Sequence, residues 1–279
     1  MTAMKYCTLN THSLIEEDYE EKLKIFVEDI LKEEPDIIAM QEVNQCIDDE
    51  DVDVCELQGY VGDPGIIKNS NHALRVANLL RERGHSYEWY WVPSKVGYDC
   101  YDEGLALFSR LPIEETEQFY ISATQEYSDW RARKAIGIKV NEQGKERWFY
   151  TVHMGWWDDE AEPFLKQWET LNRYLSAHQD EHSTLLGDFN APDNRRGESY
   201  DTILAQGWHD LYHTAIRKEG SYTVLEQIDG WCEGTSAMRI DYAFSNQPQE
   251  VSAYRILWDG TTRPRISDHF GILIEEREK

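Results

Sequence analysis

The sequence predicts an α/β fold in which helices pack outside two β-sheets that face each other. Three observations support this prediction. Short runs of β-forming residues recur along the chain, and amphipathic stretches with helical spacing lie between several of them. The chain also lacks internal repeats, low-complexity tracts and Pro/Ser-rich linkers, so we expect residues 1–279 to form a single domain.

Helices are predicted where apolar residues recur every three or four positions. The first of them begins with a crowd of acidic residues, which suits the positive end of a helix dipole, and Pro35 ends it. Gly84 ends the second. In chain order, we predict helices at residues 16–34, 72–83, 163–179 and 199–205.

Strands are predicted where β-branched and aromatic residues form short runs that end in polar or glycine-containing turns. Residues 183–193, STLLGDFNAPD, show this pattern most clearly, because Gly187, Asp188 and Asn190 follow three β-formers at once. If that tip is extended, Asp188 and Asn190 share one face and Phe189 takes the other. We predict strands at residues 4–9, 36–40, 87–92, 105–109, 112–121, 134–140, 148–153, 184–186, 238–244, 251–258 and 270–274.

Two stretches between these elements show neither pattern. Residues 46–71 are acidic and contain three glycines and Pro64, so we interpret them as a long excursion over the active face. Residues 97–104, GYDCYDEG, are predicted to form a loop before the next strand.

Composition and charge limit the classes of function. Hydrophobic residues make up 41% of the chain, which is enough for a substantial core and argues against disorder. The net charge is −25 and the longest basic run is Arg195-Arg196, so a long polyanion would be repelled and we do not expect nucleic acid as a partner. A small anion held by a metal and one or two arginines remains compatible with this charge.

The cysteines and the hydropathy pattern suggest a compartment. The five cysteines are scattered and odd in number, with no paired metal spacing and no disulfide framework. No apolar run is long enough to cross a bilayer, and the N-terminus lacks the layout of a secretory signal. We therefore expect a protein of the reducing cytoplasm that does not act at a membrane, and we leave its oligomeric state open.

Polar side chains lie at the ends of several of the predicted strands, where α/β proteins place their chemistry. Each is a weak signal alone, but the repeated pattern of a strand followed at once by a polar tip is more specific. These residues are Asn10, Glu42, His153, Asp188 with Asn190, Asp241, and Asp268 with His269.

With these motifs the sequence resembles the exonuclease–endonuclease–phosphatase superfamily, which has the DNase-I-like fold. The matching stretches run from end to end, so the resemblance covers the whole chain. It implies a four-layer α/β sandwich and Mg²⁺-dependent cleavage of a phosphate ester. The stretches are LNTHS (9–13), QEVN (41–44), TVHMG (151–155), LLGDFNAP (185–192), RIDYAF (239–244) and SDHFG (267–271).

Within that superfamily the chain is similar to the bacterial maltose 6'-phosphate phosphatases. This similarity lies in loops that would surround a substrate, whereas the motifs above perform chemistry common to the superfamily. It implies a small phosphosugar as the substrate. The loops are GYDCYDEG (97–104), HMGWWDD (153–159) and GSYTVLEQIDGW (220–231), together with NTHS (10–13).

A metal site and its ligands follow from this resemblance and from ligand chemistry. Glu42 is expected to hold Mg²⁺, a hard cation that prefers oxygen ligands, with Mn²⁺ as a substitute. Asn10 is expected to support the same site, and Asp268 to bind a metal directly or through water.

The remaining polar tips are expected to act on the phosphate group. Asp188 and Asn190 would flank the phosphorus, positioning the attacking water and donating to the transition state. His269 is assigned either as the general base or as a ligand of the phosphoryl oxygens, and Asp241 would orient it. His153 would donate to a phosphoryl oxygen. Whether Asp188 or His269 takes the proton of the water is left open.

Each of these residues also has a purely structural interpretation. Asn10 is compatible with capping the turn before the first helix, and Glu42 with a solvated loop position. His153 is compatible with a semi-buried, satisfied histidine. Asp241 would anchor a turn and Asp268 would cap the last strand.

Substrate contacts are predicted from arginine and tryptophan residues. Arg131 and Arg133 are candidates for phosphate binding, although ion pairs with this acidic chain are an equal alternative. Trp156, Trp157 and Trp231 are candidates for stacking on a sugar ring, with core packing as the alternative.

We therefore predict a Mg²⁺-dependent phosphomonoesterase that hydrolyses a phosphorylated sugar, with maltose 6'-phosphate as the first candidate. The alternatives are a nuclease of the same fold, a sphingomyelinase-like phosphodiesterase, and a binding protein without catalysis. The acidic charge argues against the nuclease, and the lack of an apolar membrane hairpin argues against the phosphodiesterase. The binding protein is disfavoured because none of the motif positions has lost its polar residue.

Overall fold

The structure is a computed structural model that describes residues 3–178, 180–225 and 237–277. These residues form two mixed β-sheets, stacked face to face, with helices on the outer sides. The strands are β1 (Lys5–Asn10), β2 (Ile37–Cys46), β3 (Glu88–Gly97), β4 (Tyr101–Ser109), β5 (Ile113–Tyr120), β6 (Lys134–Glu142), β7 (Lys145–His153), β8 (His182–Asp188), β9 (His209–Asp210), β10 (Ala215–Glu219), β11 (Asp241–Ser245), β12 (Val251–Leu257) and β13 (Gly271–Glu276). The helices are α1 (Tyr19–Glu33), α2 (His72–Glu82), α3 (Phe164–Ser176), α4 (Ser199–Ala205) and α5 (Leu211–Thr214). The predicted fold class is confirmed.

The first sheet has seven strands in the order β10-β12-β13-β1-β2-β4-β3, and the second has six in the order β5-β6-β7-β8-β11-β9. β1 and β2 run parallel in the first sheet, and β7 and β8 run parallel in the second. The carboxyl ends of a parallel pair lie at the same edge of a sheet. Each sheet therefore brings two neighbouring strand ends to one edge.

Alternation of side chains along the strands divides the interior into separate cores. Ile37 of β2 and Leu186 of β8 lie in the core between the two sheets. Ile38 faces the opposite way and packs beneath α1 and α2, and Leu185 packs beneath α3 and α4. The order of layers is therefore helices, sheet, sheet, helices, as the sequence resemblance implied.

The helices form where their apolar residues make one continuous face. Phe26 and Ile30 of α1, Leu74 of α2 and Trp168 of α3 are all buried against a sheet. The side chain of Asn71 caps α2 by accepting a hydrogen bond from the backbone N–H of Leu74 at 3.0 Å. Among the described residues, no helix combines the length and the apolar composition that a bilayer crossing requires.

The predicted loop at residues 97–104 is wrong. β3 extends to Gly97 and β4 begins at Tyr101, so three residues make the turn of a hairpin. Tyr98 and Asp99 have φ values of 49° and 58°, the left-handed backbone that such a tight reversal uses. The polar residues after the turn resembled a loop in the sequence, but their backbones pair with β3.

The predicted placement of residues 46–71 over the active face is also wrong. Val52, Leu57 and Ile67 from this segment are buried in the core beneath α1 and α2. The side chain of Gln45 anchors it by donating to the carbonyl of Ile66 at 2.9 Å. All residues of this segment are described, and they cover the helical side of the first sheet because their apolar side chains complete that core.

Glu42 lies inside a strand, whereas the sequence placed it at a strand tip. β2 continues to Cys46, and its pairing with β4 shifts between Met40 and Val43. Glu42 has a φ of 51°, which is uncommon for a residue with a side chain. A β-bulge therefore sets the position of Glu42, and bulges of this kind re-aim side chains next to active sites.

Candidate active site

Strand register brings the predicted polar residues together. His153 at the end of β7 is the partner of Asp188 at the end of β8, and Asp188 is also the partner of Asp241 at the start of β11. The other sheet contributes Asn10, whose side-chain N–H₂ donates to Glu42 at 2.8 Å and to Asp188 at 3.1 Å. Asn10 therefore joins the two sheets at the edge where their strands end.

A cavity of about 220 Å³ opens at this edge. Six of the predicted catalytic and metal-binding residues line it together: Glu42, His153, Asp188, Asn190, Asp268 and His269. Asn10 and Asp241 lie directly behind them and are fully buried. Segments that are far apart in the sequence thus converge on a single space.

A buried triad of side chains stands at one side of the cavity. Asp241 Oδ2 is 2.9 Å from His269 Nδ1, and His269 Nε2 is 3.7 Å from Asp188 Oδ2. Burial alone would lower the pKa of His269, but the negative charges of Asp241 and Asp188 raise it well above its usual value. Ser267 holds the backbone here, since its hydroxyl accepts from the N–H of His269 and donates to the carbonyl of Asn10. At neutral pH, His269 is therefore a fixed, protonated donor.

Asp188 is held at the end of β8 by a close approach of two strands. Gly187, just before it, has a φ of 136°, and a Cβ there would lie 2.2 Å from the carbonyl oxygen of Val152. Burial and the neighbouring Asp241 raise the pKa of Asp188 to about 7, against the opposing charge of His269. A carboxyl group with this pKa exchanges its proton near neutrality, which suits acid–base chemistry.

The predicted extended tip of β8 is replaced by a tight turn. Asn190 has a φ of 47°, and its backbone N–H donates to Asp188 Oδ1 at 2.8 Å. The side-chain N–H₂ of Asn190 donates to the carbonyl of Met154 at 2.9 Å. Phe189 is buried in the core beneath α3 and α4, as its alternation predicted. Asn190 still reaches the cavity, but through local hydrogen bonding that an alternating pattern does not reveal.

His153 lies between the two groups of carboxylates. Its Nε2 is 3.6 Å from Asp188 Oδ2, and its Nδ1 is 3.9 Å from both Glu42 and Glu103. Burial and the positive charges of Arg133 and Lys95 lower the pKa of His153 well below its usual value. His153 is therefore neutral at physiological pH and offers one N–H to a ligand in the cavity.

Glu42 and Asp268 are the expected metal ligands that line the cavity. Burial, together with the like charges of Glu103 and Asp268, raises the pKa of Glu42 to about 7. Next to them, ligand atoms of His12, Glu16 and Asp268 all lie within 4.8 Å of one another. This accumulation of carboxylate oxygens is the donor set that a hard divalent cation prefers, so the residues present fit such an ion.

Asn10 is placed differently from a metal ligand. Its N–H₂ group faces Glu42 and Asp188, while its oxygen accepts from the backbone N–H of His12 at 3.2 Å. In this arrangement Asn10 orients the carboxylate that would bind the cation, which is the supporting role that a second layer of residues has in metal sites.

The expected substrate contacts are divided between the cavity and the core. Arg133 and Trp156 line the cavity. Trp157 instead packs against the core beneath α3 and α4, and Arg131 pairs with Asp129 at 3.0 Å. Trp231 lies outside the described residues.

Sequence analysis missed several residues that line the cavity or approach it. Lys95 and Glu103 come from the hairpin of β3 and β4, and Tyr98 is at its turn; Glu103 and Tyr98 lie in the stretch that was predicted as a loop. Trp130 lies beside Trp156, with their ring centroids 5.9 Å apart. His12 and Glu16 approach Asp268 from the turn after β1. These last two follow directly on a polar strand tip, which was the one signal available for them.

Comparisons with known proteins agree with this fold. The sequence profile of the Endonuclease/Exonuclease/phosphatase family matches residues 7–269. No curated protein matches the chain. Among solved structures, an endonuclease/exonuclease/phosphatase family protein from Leptotrichia buccalis C-1013-b is 30% identical, with a TM-score of 0.87 over 99% of this chain and 100% of that one.

Two more distant structures share the fold. The mannosyl-6-phosphatase of Bacteroides thetaiotaomicron VPI-5482 is 17% identical, with a TM-score of 0.68 over 99% of this chain and 100% of that one. D. rerio TDP2, in complex with a single-strand DNA product, is 14% identical, with a TM-score of 0.68 over the whole of both chains.

The matched profile begins in β1 and ends at the histidine that precedes β13, so it includes every strand tip that contributes to the cavity. The Leptotrichia protein extends the similarity over nearly the full length. This chain belongs to the Endonuclease/Exonuclease/phosphatase family.

Proposed function

We propose that this protein is a Mg²⁺-dependent phosphomonoesterase that releases phosphate from a phosphorylated sugar, with maltose 6'-phosphate as the first candidate and Mn²⁺ as a substitute cation. Members of its family are hydrolases that act on phosphate esters, generally with a divalent metal. The observation that supports the finer assignment is the cavity itself. It combines carboxylates, a His–Asp pair and two buried cations with exposed aromatic rings at Trp130 and Tyr98.

The divalent cation, when bound by Glu42 and Asp268, would polarise a phosphoryl oxygen and offset the negative charge that builds up in the transition state. The protein's own groups perform the remaining steps. Asp188 accepts a proton from the attacking water, because its pKa near 7 leaves a large unprotonated fraction at neutral pH. The water oxygen forms a bond to phosphorus and the bond from phosphorus to the sugar oxygen breaks. The sugar oxygen takes up a proton from solvent, and Asp188 returns its proton to solvent.

His269 and His153 have different roles in this scheme. His269 is protonated and held by Asp241, so it donates Nε2–H to a phosphoryl oxygen and does not act as the base. His153 is neutral and donates a single N–H. This division favours Asp188 over His269 as the residue that takes the proton of the water.

The sugar is proposed to lie against the aromatic residues of the cavity. Trp130 is 51% exposed and Tyr98 is 48% exposed, and both line the cavity, so much of each ring is accessible to a ligand there. The C–H face of a sugar packs well on such rings. A neighbour of the same fold that is described as a mannosyl-6-phosphatase makes a phosphosugar a reasonable substrate class.

The test is phosphate release by purified protein with and without Mg²⁺. The substrates are maltose 6'-phosphate, several hexose 6-phosphates, a diester and plasmid DNA, because a DNA-bound neighbour makes nuclease activity the competing assignment. We expect phosphate release from at least one phosphosugar, abolished by a chelator and by Glu42→Gln. Fast DNA cleavage without phosphate release from any sugar would refute the proposal.

A further inference from the structure

The cavity wall contains two buried cations, one from the hairpin of β3 and β4 and one from the segment before β6. Lys95 lies on β3 and is 8% exposed, and its Nζ is 3.1 Å from Glu103 Oε1 on β4. Arg133 is 3% exposed and comes from the backbone just before β6. Lys95, Glu103 and Arg133 all line the cavity, so the site holds a cationic group beside the carboxylates of the expected metal centre.

Arg133 has hydrogen-bonding capacity that the protein does not use. One of its terminal N–H groups donates to the carbonyl of Trp130 at 3.0 Å. Its Nε, like the Nδ1 of His153, has no hydrogen-bond partner among the residues that the structure describes. A buried donor without a partner is costly, and an anion in the cavity would supply one.

The charges of this group do not balance. Within this group Lys95 pairs with Glu103 and Arg133 adds a second positive charge, so the three side chains together carry one positive charge in excess. Burial and the charge of Arg133 lower the pKa of Lys95, and these effects outweigh the opposing influence of Glu103 and Glu42. Two like charges held together out of water are stabilised by a multiply charged anion between them.

We propose that Lys95 and Arg133 recognise the terminal phosphate of a monoester as a dianion and thereby select monoesters over diesters. The proposal deepens the proposed function and rests on it. Near neutrality a phosphate monoester carries between one and two negative charges and has three free oxygens. A diester carries one charge and has two free oxygens, so it neutralises less of the cationic group and leaves a donor unpaired. The planar guanidinium of Arg133 can grip two oxygens at once, and Lys95 adds a point charge.

A structural role for Arg133 is the competing explanation. A small void of about 10 Å³ lies next to the cavity, lined by Ser94, Lys95, Arg133 and His153 among others. The hydroxyl of Ser94 also lacks a partner among the described residues. One water molecule is at the limit of what such a void holds, and it would satisfy these atoms without any ligand. In that case the cations would support the wall and would not distinguish substrates.

The experiment compares p-nitrophenyl phosphate with bis(p-nitrophenyl) phosphate, which share a leaving group and differ in the number of ester bonds. The variants are Lys95→Met, Arg133→Met and Arg133→Lys. Lys139→Met is the matched control, because Lys139 is also a largely buried, ion-paired lysine but lies outside the cavity. Circular dichroism and thermal unfolding establish that each variant is folded.

We expect kcat/KM for the monoester to fall by roughly 10- to 100-fold in Lys95→Met and in Arg133→Met, the loss expected for a charged hydrogen bond. The kcat/KM for the diester should change much less, so the ratio of kcat/KM for monoester to diester should fall sharply. Arg133→Lys should keep part of the selectivity, because it keeps the positive charge but loses the planar guanidinium that can contact two oxygens at once. Lys139→Met should match the wild type on both substrates.

Binding of inorganic phosphate, measured by calorimetry in the presence of Mg²⁺, gives a readout that does not depend on turnover. We expect weaker binding in the Lys95 and Arg133 variants and unchanged binding in Lys139→Met. Equal losses on monoester and diester, or unchanged phosphate binding, would overturn the inference in favour of the structural role. If Arg133→Met does not fold, Lys95→Met and Arg133→Lys carry the test.

Failure of the proposed function would look different. A wild-type enzyme that hydrolyses no monoester refutes the phosphatase assignment. Phosphate binding that depends on Lys95 and Arg133 would still establish the anion site in that case. The two conclusions can therefore be separated with one set of proteins.

Discussion

Asp241 is placed so that it would act on the proposed chemistry only through a neighbouring side chain. It lies behind His269, outside the lining of the cavity, and its Oδ2 holds the Nδ1 of that histidine at 2.9 Å. Its other oxygen, Oδ1, has no partner among the described residues, so the histidine is the main group that it serves. A positioning carboxylate of this kind fixes both the tautomer and the charge of the ring.

The substitution Asp241→Asn should therefore leave the fold and cation binding intact while lowering kcat by up to about 10⁴-fold. The amide has the same shape, but it cannot stabilise a protonated His269. KM should change far less than kcat. The pH profile of kcat should also change, because the charge on His269 changes. Asp29→Asn is the control, since Asp29 is a buried carboxylate of α1 that pairs with Trp258. A near-wild-type rate for Asp241→Asn would remove this residue from the mechanism.

His72 allows a test of pH dependence away from the site. It is buried at the start of α2, its Nδ1 lies 2.8 Å from the hydroxyl of Tyr19, and burial lowers its pKa to about 3. Between pH 6.5 and 3 the unfolded chain binds a proton here that the folded chain does not. The free energy of unfolding should thus fall as the pH is lowered through this window, by at most about 1.4 kcal/mol per unit.

Urea unfolding at several pH values, for the wild type and for His72→Gln, measures this contribution. The slope of stability against pH should be shallower in the variant between pH 4 and 6.5 and unchanged above pH 7. Identical slopes in both proteins would contradict the assignment of a neutral His72. His153 also has a lowered pKa and should contribute the slope that remains.

Single residues differ in how well the sequence reveals them. Asp188 and His269 were predictable, because each lies at the end of a predicted strand within a polar motif. Lys95 and Glu103 were not, since each alone resembles a solvated position in a polar stretch, and their ion pair exists only once two strands are aligned. Trp156 and Trp157 are adjacent and identical in type, so only the packing decides that the first reaches the cavity.

At the scale of elements, the close approach of β7 and β8 sets the position of Asp188, the proposed base. Gly187 allows it, because a side chain there would meet the carbonyl of Val152. Backbone strain alone costs about 1–3 kcal/mol for a residue with a side chain in such a conformation. Gly187→Ala should therefore lower the free energy of unfolding by more than this amount. Activity should fall as well, since Asp188 is the next residue.

Gly144→Ala is the matched control for this prediction. Gly144 lies in the turn between β6 and β7 with a φ of 88°, and among the described residues no atom is within 4 Å of an added Cβ. Both substitutions strain the backbone, but only Gly187→Ala adds a clash. If urea unfolding shows that both substitutions lower the free energy of unfolding equally, the close approach of β7 and β8 does not add to the cost at Gly187.

Elements with strong periodicity were predicted well, and elements defined by long-range pairing were not. The predicted helix at residues 72–83 differs from α2 by one residue, because its apolar face and its ends are both local signals. The bulge in β2 depends on pairing with β4, which is remote in sequence, so the position of Glu42 inside a strand had no local signature. The short strand β10 was missed, since most of its side chains are exposed and show no alternation.

At the scale of the whole molecule, the net charge of −25 separates the proposed substrate from nucleic acid. A long polyanion meets the field of the entire protein, whereas a small phosphate ester needs only the local charges of the cavity. A labelled single-stranded oligonucleotide should show no saturable binding by fluorescence anisotropy at low salt, while inorganic phosphate still binds. Saturable binding that weakens with salt, with a slope of several ions, would contradict this expectation.

The overall architecture was predictable because the superfamily motifs lie in order along the chain, and the family profile confirms them. The division of the cavity into an acidic and a cationic part was not. It arises from the stacking of two sheets, which brings Asn10 and Asp188 into contact across 178 positions of sequence. No local pattern contains a distance of that kind.

The hydrogen bond between Ser267 and Asn10 spans 257 positions and ties the last strand to the first. β13 lies beside β1 in the middle of the seven-stranded sheet. The centre of that sheet therefore cannot form until residues 271–276 have been synthesised. During translation, His269 and β13 leave the ribosome long after Asp188, by several seconds at about 5–20 residues per second. A nascent polypeptide should therefore stay inert towards phosphate esters until residue 276 has emerged, and truncation before that strand should silence the enzyme outright.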